Sequence, residues 1–302
     1  MLLSDRMRAV AGLVQPCKSI ADIGCDHGYV AMELVRSKVC RHVIAMDVNS
    51  GPLDRARHNI ADFCMQDYIE TRLSDGVSAL REGEAEGIIC AGMGGKLVIS
   101  ILEQGKKLIG EMKQVILQPQ SEIEKFRQFL RENGYGILDE EMIEEDGKFY
   151  QVIRASEKGY LVEKEDIIYE DGKYYPMMRA LPGAFGKLEW QISGNLEQKC
   201  RKSGVYINGI PASRQPFNIS ETSKGEAKRL TRVQDTYGPC LLSMAHPVLK
   251  RYLLWQKANF EKIRNDLLSQ ERLTDRQQLR VQELDEKLSD IVFCLYYYFR
   301  YR

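Results

Sequence analysis

Up to about residue 155 the chain alternates short apolar runs with amphipathic stretches. The runs at 19–23, 42–46, 69–73, 87–91 and 114–117 have the length and composition of buried strands. Between them, 29–37, 53–63 and 96–103 carry apolar residues at helical spacing. Strand–helix alternation at this rhythm predicts a parallel sheet with right-handed crossovers. After a helical pattern over 122–133 come two β-rich runs, 135–143 and 148–155, joined by the hairpin signal Glu144-Glu145-Asp146-Gly147. Two consecutive strands without a helix between them imply an antiparallel strand closing the sheet.

From residue 156 the pattern changes. Glu145-Asp146-Gly147-Lys148-Phe149-Tyr150 recurs as Glu170-Asp171-Gly172-Lys173-Tyr174-Tyr175, which reads as a duplicated hairpin or a chance match of two Asp-Gly turns. Residues 181–236 collect Pro, Gly, Ser, Asn and basic residues with poor periodicity, so 156–236 reads as a basic, loop-rich insertion. Regular spacing returns in 237–302. Leu249, Leu253, Gln256, Phe260, Ile263 and Leu267 alternate steps of four and three, as do Gln277, Val281, Leu284, Leu288, Ile291 and Leu295. These heptads place one apolar seam on each of two helices. Thr274 with Gln277 fits a capping box that starts the second helix after a break at 269–274. An antiparallel helical hairpin follows, its seams closing within one chain, between two copies, or beside an RNA.

Composition narrows the functional classes. A chain of 302 residues with 28% charged and 44% hydrophobic positions has the make-up of a globular protein with a large core. No run approaches the roughly 18–20 apolar residues of a membrane span, so a cytoplasmic setting without a membrane partner is expected. The eight cysteines include no C-x-x-C pair and suit reduced thiols, and with four histidines no metal centre is expected. Net charge is zero, but Lys plus Arg against Asp plus Glu is 19 to 24 in residues 1–155 and 24 to 19 in 156–302. Residues 199–232 alone hold eight bases and two acids, which would draw a nucleic-acid partner to that half.

Candidate chemistry sits at the strand ends. Ala21-Asp22-Ile23-Gly24-Cys25-Asp26-His27-Gly28-Tyr29 ends an apolar strand in glycines where a helix begins, allowing backbone N–H groups close to a nucleotide-like ligand. Asp47, ending the next run, is placed to accept hydrogen bonds from ribose hydroxyls. The order Gly-x-Asp-x-Gly is not the G-x-G-x-x-G of nicotinamide enzymes, and the antiparallel ending also separates the two classes. Asp75-Gly76 after the third strand offers an acceptor for an adenine amino group, or is an ordinary turn. Gly92-Met93-Gly94-Gly95 after the fourth reads as a narrow slot bordered by backbone, and Gln118-Pro119 after the fifth adds an amide. All five ends should converge on one adenosyl group. The expected cofactor set is Asp22, Gly24, Cys25, Gly28, Asp47, Val48, Asp75, Gly76, Gly92, Met93 and Gly94; Gly95, Gln118 and Pro119 are expected to face the substrate.

Leu3-Ser4-x-Arg6-Met7, Ala21-Asp22-Ile23-Gly24-x-Asp26-His27-Gly28-Tyr29, Asp47-x-x-x-Gly51-Pro52-Leu53, Gly92-Met93-Gly94-Gly95 and Leu117-Gln118-Pro119 together resemble the bacterial tRNA adenine-22 N1-methyltransferases, the TrmK type. The resemblance covers roughly 1–155 and the hairpin from Tyr237-Gly238-Pro239. It implies an α/β fold with a class I, Rossmann-like methyltransferase sheet, S-adenosyl-L-methionine as methyl donor, tRNA as partner, and C-terminal helices that help hold it. Two features depart from the family: 156–236 is longer than its usual connection, and Gln120 stands where an Asn often follows Gln-Pro. In the implied reaction Asp26 would accommodate the cationic product, His27 and Tyr29 would shape the target pocket, and Arg6 would hold a phosphate or order the loop. In a plainer role, Asp26 and His27 cap the helix and touch only the cofactor. Alternatives are a methyltransferase acting on another RNA or on protein, and an RNA-binding protein that keeps the fold without turnover.

Overall fold

The computed structural model describes residues 3–156, 166–170, 173–177, 206–207, 210–211 and 224–299. Seven strands form its main sheet: β1 (Cys17–Ile23), β2 (Cys40–Asp47), β3 (Ile69–Leu73), β4 (Gly87–Met93), β5 (Gln114–Pro119), β6 (Gly136–Glu145) and β7 (Lys148–Ser156). Their spatial order is β3-β2-β1-β4-β5-β7-β6. Strands β1 to β5 pair in parallel, while β7 runs antiparallel to both β5 and β6. The antiparallel ending expected from two consecutive strands is therefore present, with β7 slotted inside β6. The order of strands reverses between β1 and β4. In open α/β sheets of this order, loops leaving the two strands turn apart at their carboxyl ends, and the ligand crevice lies there.

The β6–β7 connection is a two-residue turn. Glu145 faces Lys148 across the ladder, and Asp146 (φ 51°) and Gly147 (φ 69°) both take the left-handed conformation that such a turn needs. Strands β8 (Asp166–Glu170) and β9 (Lys173–Met177) pair antiparallel with Glu170 opposite Lys173, the same spacing as in the first hairpin. A two-residue pair, β10 (Tyr206–Ile207) with β11 (Ile210–Pro211), follows. The rest of the region read as a loop-rich insertion, up to residue 223, lies outside the described residues.

Six helices cover the sheet: α1 (Asp5–Leu13), α2 (Tyr29–Arg36), α3 (Ser50–Asp62), α4 (Gly95–Gln104), α5 (Lys106–Gly110) and α6 (Ile123–Glu132). The strand and helix periods read from the sequence recover all of these but α1 and α5. Helix α1 is only nine residues long, with the Ser4 hydroxyl accepting from the Met7 N–H at its start. It buries Val10, Ala11 and Leu13 in one apolar cluster with Met32 and Leu34 of α2 and Ile20, Ile116 and Val152 of the sheet. Helix α6 docks differently. Its Arg127 is 1% exposed, with Nη2 2.7 Å from Glu140 Oε1 on β6, and it donates to Gln151 Oε1 on β7 at 2.5 Å. Glu140 is 0% exposed, so this pair lies wholly inside the protein.

The chain divides into two compact units, residues 1–215 and 216–302. In the second unit, α7 (Lys224–Tyr237), α8 (Pro239–Ser243), α9 (Pro247–Leu268) and α10 (Asp275–Tyr297) follow one another. The heptad hairpin is α9–α10. Thr274 accepts from the Gln277 N–H, while Gln277 Oε1 accepts from the Thr274 N–H: the expected capping box. Leu249, Leu253, Leu284, Ile291 and Leu295 are buried, whereas Ile263, near the far end of the seam, is exposed. One reading is corrected. Residues 224–236, assigned to a loop-rich stretch, are helical, because Val233 and Tyr237 provide a narrow buried stripe that the surrounding charges masked. Helix α7 also supplies Arg229 and Arg232, which both donate to the buried Asp290 of α10 at 2.7 to 3.0 Å.

Candidate active site

The crevice is built where β1, β2 and β4 end. Gly24 (φ 72°) turns the chain out of β1, and its N–H and that of Cys25 both donate to the Met46 carbonyl, at 2.7 and 2.9 Å. Met93, ending β4, lies across the same turn: a Cβ at Gly24 would stand 2.3 Å from Met93 Cε, so the flexible end of that side chain would have to move aside. Gly24 thus touches the residue before Asp47 on one side and the residue after Gly92 on the other. The structure brings Gly24, Asp47 and Gly92 together at the switch point. Gly28 has another task. It starts α2 at φ 73°, and a Cβ there would press on Ala56 of α3 at 3.3 Å, so it permits helix packing rather than ligand approach.

Two acids meet at this edge. Asp22 is 4% exposed, and no hydrogen-bond donor or cation reaches its carboxylate among the described residues. Burial first, and the nearby Asp47 second, push its pKa up to about 7. Asp47 is also buried, and its Oδ1 accepts from the Asn49 N–H at 2.9 Å. The Asp47 carbonyl receives the Ser74 N–H at 2.8 Å, which ties the end of β3 to the same place. Asp75 is exposed just beyond, while Gly76 is buried against Ile101 and Gln104 as an ordinary turn residue. Val48 and Leu73, Leu73 being opposite Asp47 in the ladder, leave apolar side chains exposed beside the acids. Cys25 is buried beneath this edge, and burial pushes its thiol up.

The β4 end is a bulge. The register with β5 shifts between Ala91 and Met93, and Gly92 takes φ 79°. Its N–H, displaced from the ladder, donates to Gln118 Oε1 at 3.0 Å, so a side-chain amide replaces a backbone acceptor. The other end of that amide, Gln118 Nε2, is buried without an acceptor. Gly94 precedes α4, and Gly95 lies against the next loop: its N–H donates to Ser121 Oγ at 3.2 Å, and a Cβ there would strike the Ser121 carbonyl at 2.4 Å. Pro119 is buried opposite Met93. The four-residue slot therefore divides. Gly92 and Met93 border the crevice, while Gly95 and Pro119 hold α4 against β5.

Asp26, His27 and Tyr29 form a ledge on the β1 side. Asp26 has φ 46°, uncommon for a residue with a side chain. Its carboxylate is 3.2 Å from Arg55 Nη2 and 3.5 Å from His27 Nε2, and the His27 ring stacks on Tyr29 at 5.5 Å. The Asn59 amide donates to the His27 carbonyl at 3.0 Å and pins the loop to α3. Arg6 approaches from the β4–β5 side. Its N–H donates to Glu145 Oε1 at 3.2 Å, its guanidinium lies over the Tyr150 ring at 5.1 Å, and Nη1 is 3.9 Å from where a Gly92 Cβ would stand. Arg6 Nε is buried without a hydrogen-bond acceptor, 3.9 Å from Glu145 Oε2.

Arg55, Glu145, Tyr150 and Ser121 were not among the sequence-predicted site residues. Glu145 lies 139 positions from Arg6 and looked only like a turn acid; nothing local could reveal the contact. Among the described residues no three His, Cys, Asp or Glu side chains converge as a metal site, and no helix is long and apolar enough to cross a membrane.

The profile described as "Methyltransferase domain" matches residues 3–153. Over 153 residues the chain is 35% identical to a tRNA (adenine(22)-N(1))-methyltransferase of Bacillus subtilis, covering 51% of this chain and 64% of that protein. The crystal structure of the B. subtilis M1A22 tRNA methyltransferase TrmK superposes with a TM-score of 0.64 at 23% identity, over 97% of this chain and 99% of the other. The structure of M. capricolum TrmK in complex with S-adenosyl-homocysteine superposes at 0.62 with 19% identity, over 99% and 100%. At these identities the two structures establish the shared fold.

Proposed function

The chain belongs to the methyltransferase-domain family, and from that membership and the crevice at the β1–β4 switch point we propose that it transfers a methyl group from S-adenosyl-L-methionine to N1 of adenine in tRNA, at position 22. The observation that carries this reading is Asp22. A buried carboxylate with no cation beside it, at the carboxyl edge where β1, β2 and β4 meet, fits a ligand that brings its own positive charge. S-adenosylmethionine carries two such charges and a ribose. Asp22 would face its cationic end, Gly24 and Met93 would border its amino-acid portion, and Asp47 would accept from the ribose hydroxyls. Val48 and Leu73 offer apolar surface for the adenine, with Asp75 beyond them.

Bound there, the donor supplies a methyl group on a sulfonium, electrophilic without metal or acid. Adenine N1 has an in-plane lone pair, so no residue has to remove a proton before attack. The chain's work is positional: to receive a splayed-out base, align N1 with the S–CH3 bond and stabilise the cation that N1 becomes. The His27–Tyr29 stack gives a base an aromatic platform. Asp26, held by Arg55 and His27, supplies negative charge next to that platform. Arg6, fixed by Glu145 and Tyr150 on the opposite side of the crevice, is oriented for a neighbouring phosphate. The basic C-terminal half supplies further phosphate contacts, with the protein acting in the cytoplasm.

The test is direct. With methyl-labelled donor and unmodified tRNA, nuclease digestion should release N1-methyladenosine from position 22. A different modified nucleoside, or tight tRNA binding with no label transferred, overturns the reading.

A further inference from the structure

At the amino edge of the same sheet, opposite the crevice, β1 and β2 each begin with a cysteine. Cys17 and Cys40 are register partners in the parallel ladder, and their Sγ atoms are 3.4 Å apart. Six residues of strand separate Cys17 from the end of β1, about 20 Å at roughly 3.3 Å per residue, so neither thiol belongs to the methyl-transfer site. Cys40 is buried and Cys17 half-buried, which leaves one sulfur reachable from solvent. Adjacent strands stand about 4.8 Å apart, inside the usual backbone separation of bridged cysteines. The sulfurs already face each other, so closure needs side-chain rotation rather than backbone movement.

We propose that Cys17 and Cys40 form a dithiol site that closes to a disulfide under peroxide and chelates trivalent organoarsenicals. In the oxidation, one thiolate sulfur attacks a peroxide oxygen and the O–O bond breaks, giving a sulfenic acid and hydroxide, which takes up the proton released by that thiol. The second sulfur attacks the sulfenic sulfur, an S–S bond forms, and the sulfenic hydroxyl leaves as water with the second thiol's proton. Two thiols and one hydrogen peroxide thus become one disulfide and two waters, with two electrons passing from sulfur to peroxide. With phenylarsine oxide no electrons move: two S–As bonds form, and the oxide oxygen leaves as water with both thiol protons. The Cys17 S–H donates to Cys40 Sγ, and this hydrogen bond raises the Cys17 thiol above its ordinary value and draws that of Cys40 below it. One thiol proton thus lies between the two sulfurs, while the Cys40 S–H donates to the His42 carbonyl at 3.1 Å.

The closed ring would enclose α2 and the Asp26–His27–Gly28 loop without touching either, so oxidation should leave donor binding unchanged. The experiment treats the full-length reduced protein with hydrogen peroxide, quenches with N-ethylmaleimide and maps tryptic peptides. The expected product joins peptides 9–18 and 39–41 through Cys17 and Cys40, lighter by two hydrogens. In parallel, phenylarsine oxide should bind wild type and Cys64→Ser alike, and lose most of its affinity for Cys17→Ser, which alters only a half-buried thiol. Sulfinic acid on Cys17 without the linked peptide, peroxide linkage of Cys17 to another cysteine, or unchanged arsenical binding by Cys17→Ser would each overturn the proposal.

Discussion

Two regions of the protein each bury a carboxylate, and they treat it in opposite ways. Asp290 in the C-terminal helices receives two guanidinium groups, from Arg229 and Arg232. Glu140, on the sheet, is likewise closed off by Arg127. Asp22, at the carboxyl edge of the sheet, meets only a second acid, and its pKa rises to about 7. Burying a charge is costly, so the first arrangement fastens helices while the second stores an electrostatic demand that a cationic ligand can answer. The difference separates scaffold from site better than burial does. It also revises the charge reading of the C-terminal half: two of the eight bases in 199–232 are committed to Asp290, and are not available in full to neutralise phosphates.

Removing a cation from the scaffold should produce the largest effect. Arg127→Met takes away the guanidinium that faces the buried Glu140 carboxylate, and stability should fall by about 3–5 kcal/mol. Replacing the pair together, Arg127→Met with Glu140→Leu, should recover most of that loss. Urea denaturation of the four-member cycle measures both. If the single and double variants are equally unstable, the pair is not what holds α6 to the sheet.

At the site the same logic changes sign. The folded-state pKa of Asp22, about 7, lies above its ordinary value of 3.8, so the fold favours the neutral acid. Its contribution is complete below about pH 4 and is lost as pH rises through about 7, a span worth up to roughly 4 kcal/mol. Without donor, wild type should therefore lose stability over that window, and Asp22→Asn should not. The donor's affinity should move the other way, rising with pH as Asp22 ionises, and Asp22→Asn should bind it about 10- to 100-fold more weakly, the worth of one charged hydrogen bond. Calorimetric titration with S-adenosylmethionine at pH 5.5 and pH 8, beside thermal melts, tests the two slopes together. A variant as pH-dependent as wild type would remove Asp22 from the account.

Much of this contrast could be read in advance on one side and little on the other. The glycine turns at Gly24 and Gly92, the acids at Asp22 and Asp47 and the strand period that aligns them are local patterns, and the parallel sheet brings such patterns to one edge as a rule of topology. The capping box at Thr274 is equally local. Partners far apart in sequence leave no such trace. Arg55 beside Asp26 and Glu145 beside Arg6 depend on packing, and the arginines of α7 looked like free surface charge. Glycine was also over-read as a sign of ligand approach: Gly28 and Gly95 are small because a helix and a loop crowd against them. A periodic pattern shows that a residue lies at a boundary, but only the folded chain shows what crosses it.

The smallest effect should come from the acid that has its cations already. Arg229 and Arg232 keep 32% and 44% of their side chains in solvent, so they rehydrate when Asp290 loses its charge. Asp290→Asn should therefore cost only about 1 kcal/mol, read from the melting of the C-terminal helices. The same substitution releases two guanidinium groups from their counter-charge. If the C-terminal unit contacts tRNA through α7, the variant should bind tRNA no more weakly than wild type, and with a steeper dependence on salt, because more cations displace counterions from the phosphates. A weaker affinity with an unchanged salt slope would mean that these two arginines serve the helices alone, and that the phosphate contacts lie elsewhere in the basic half.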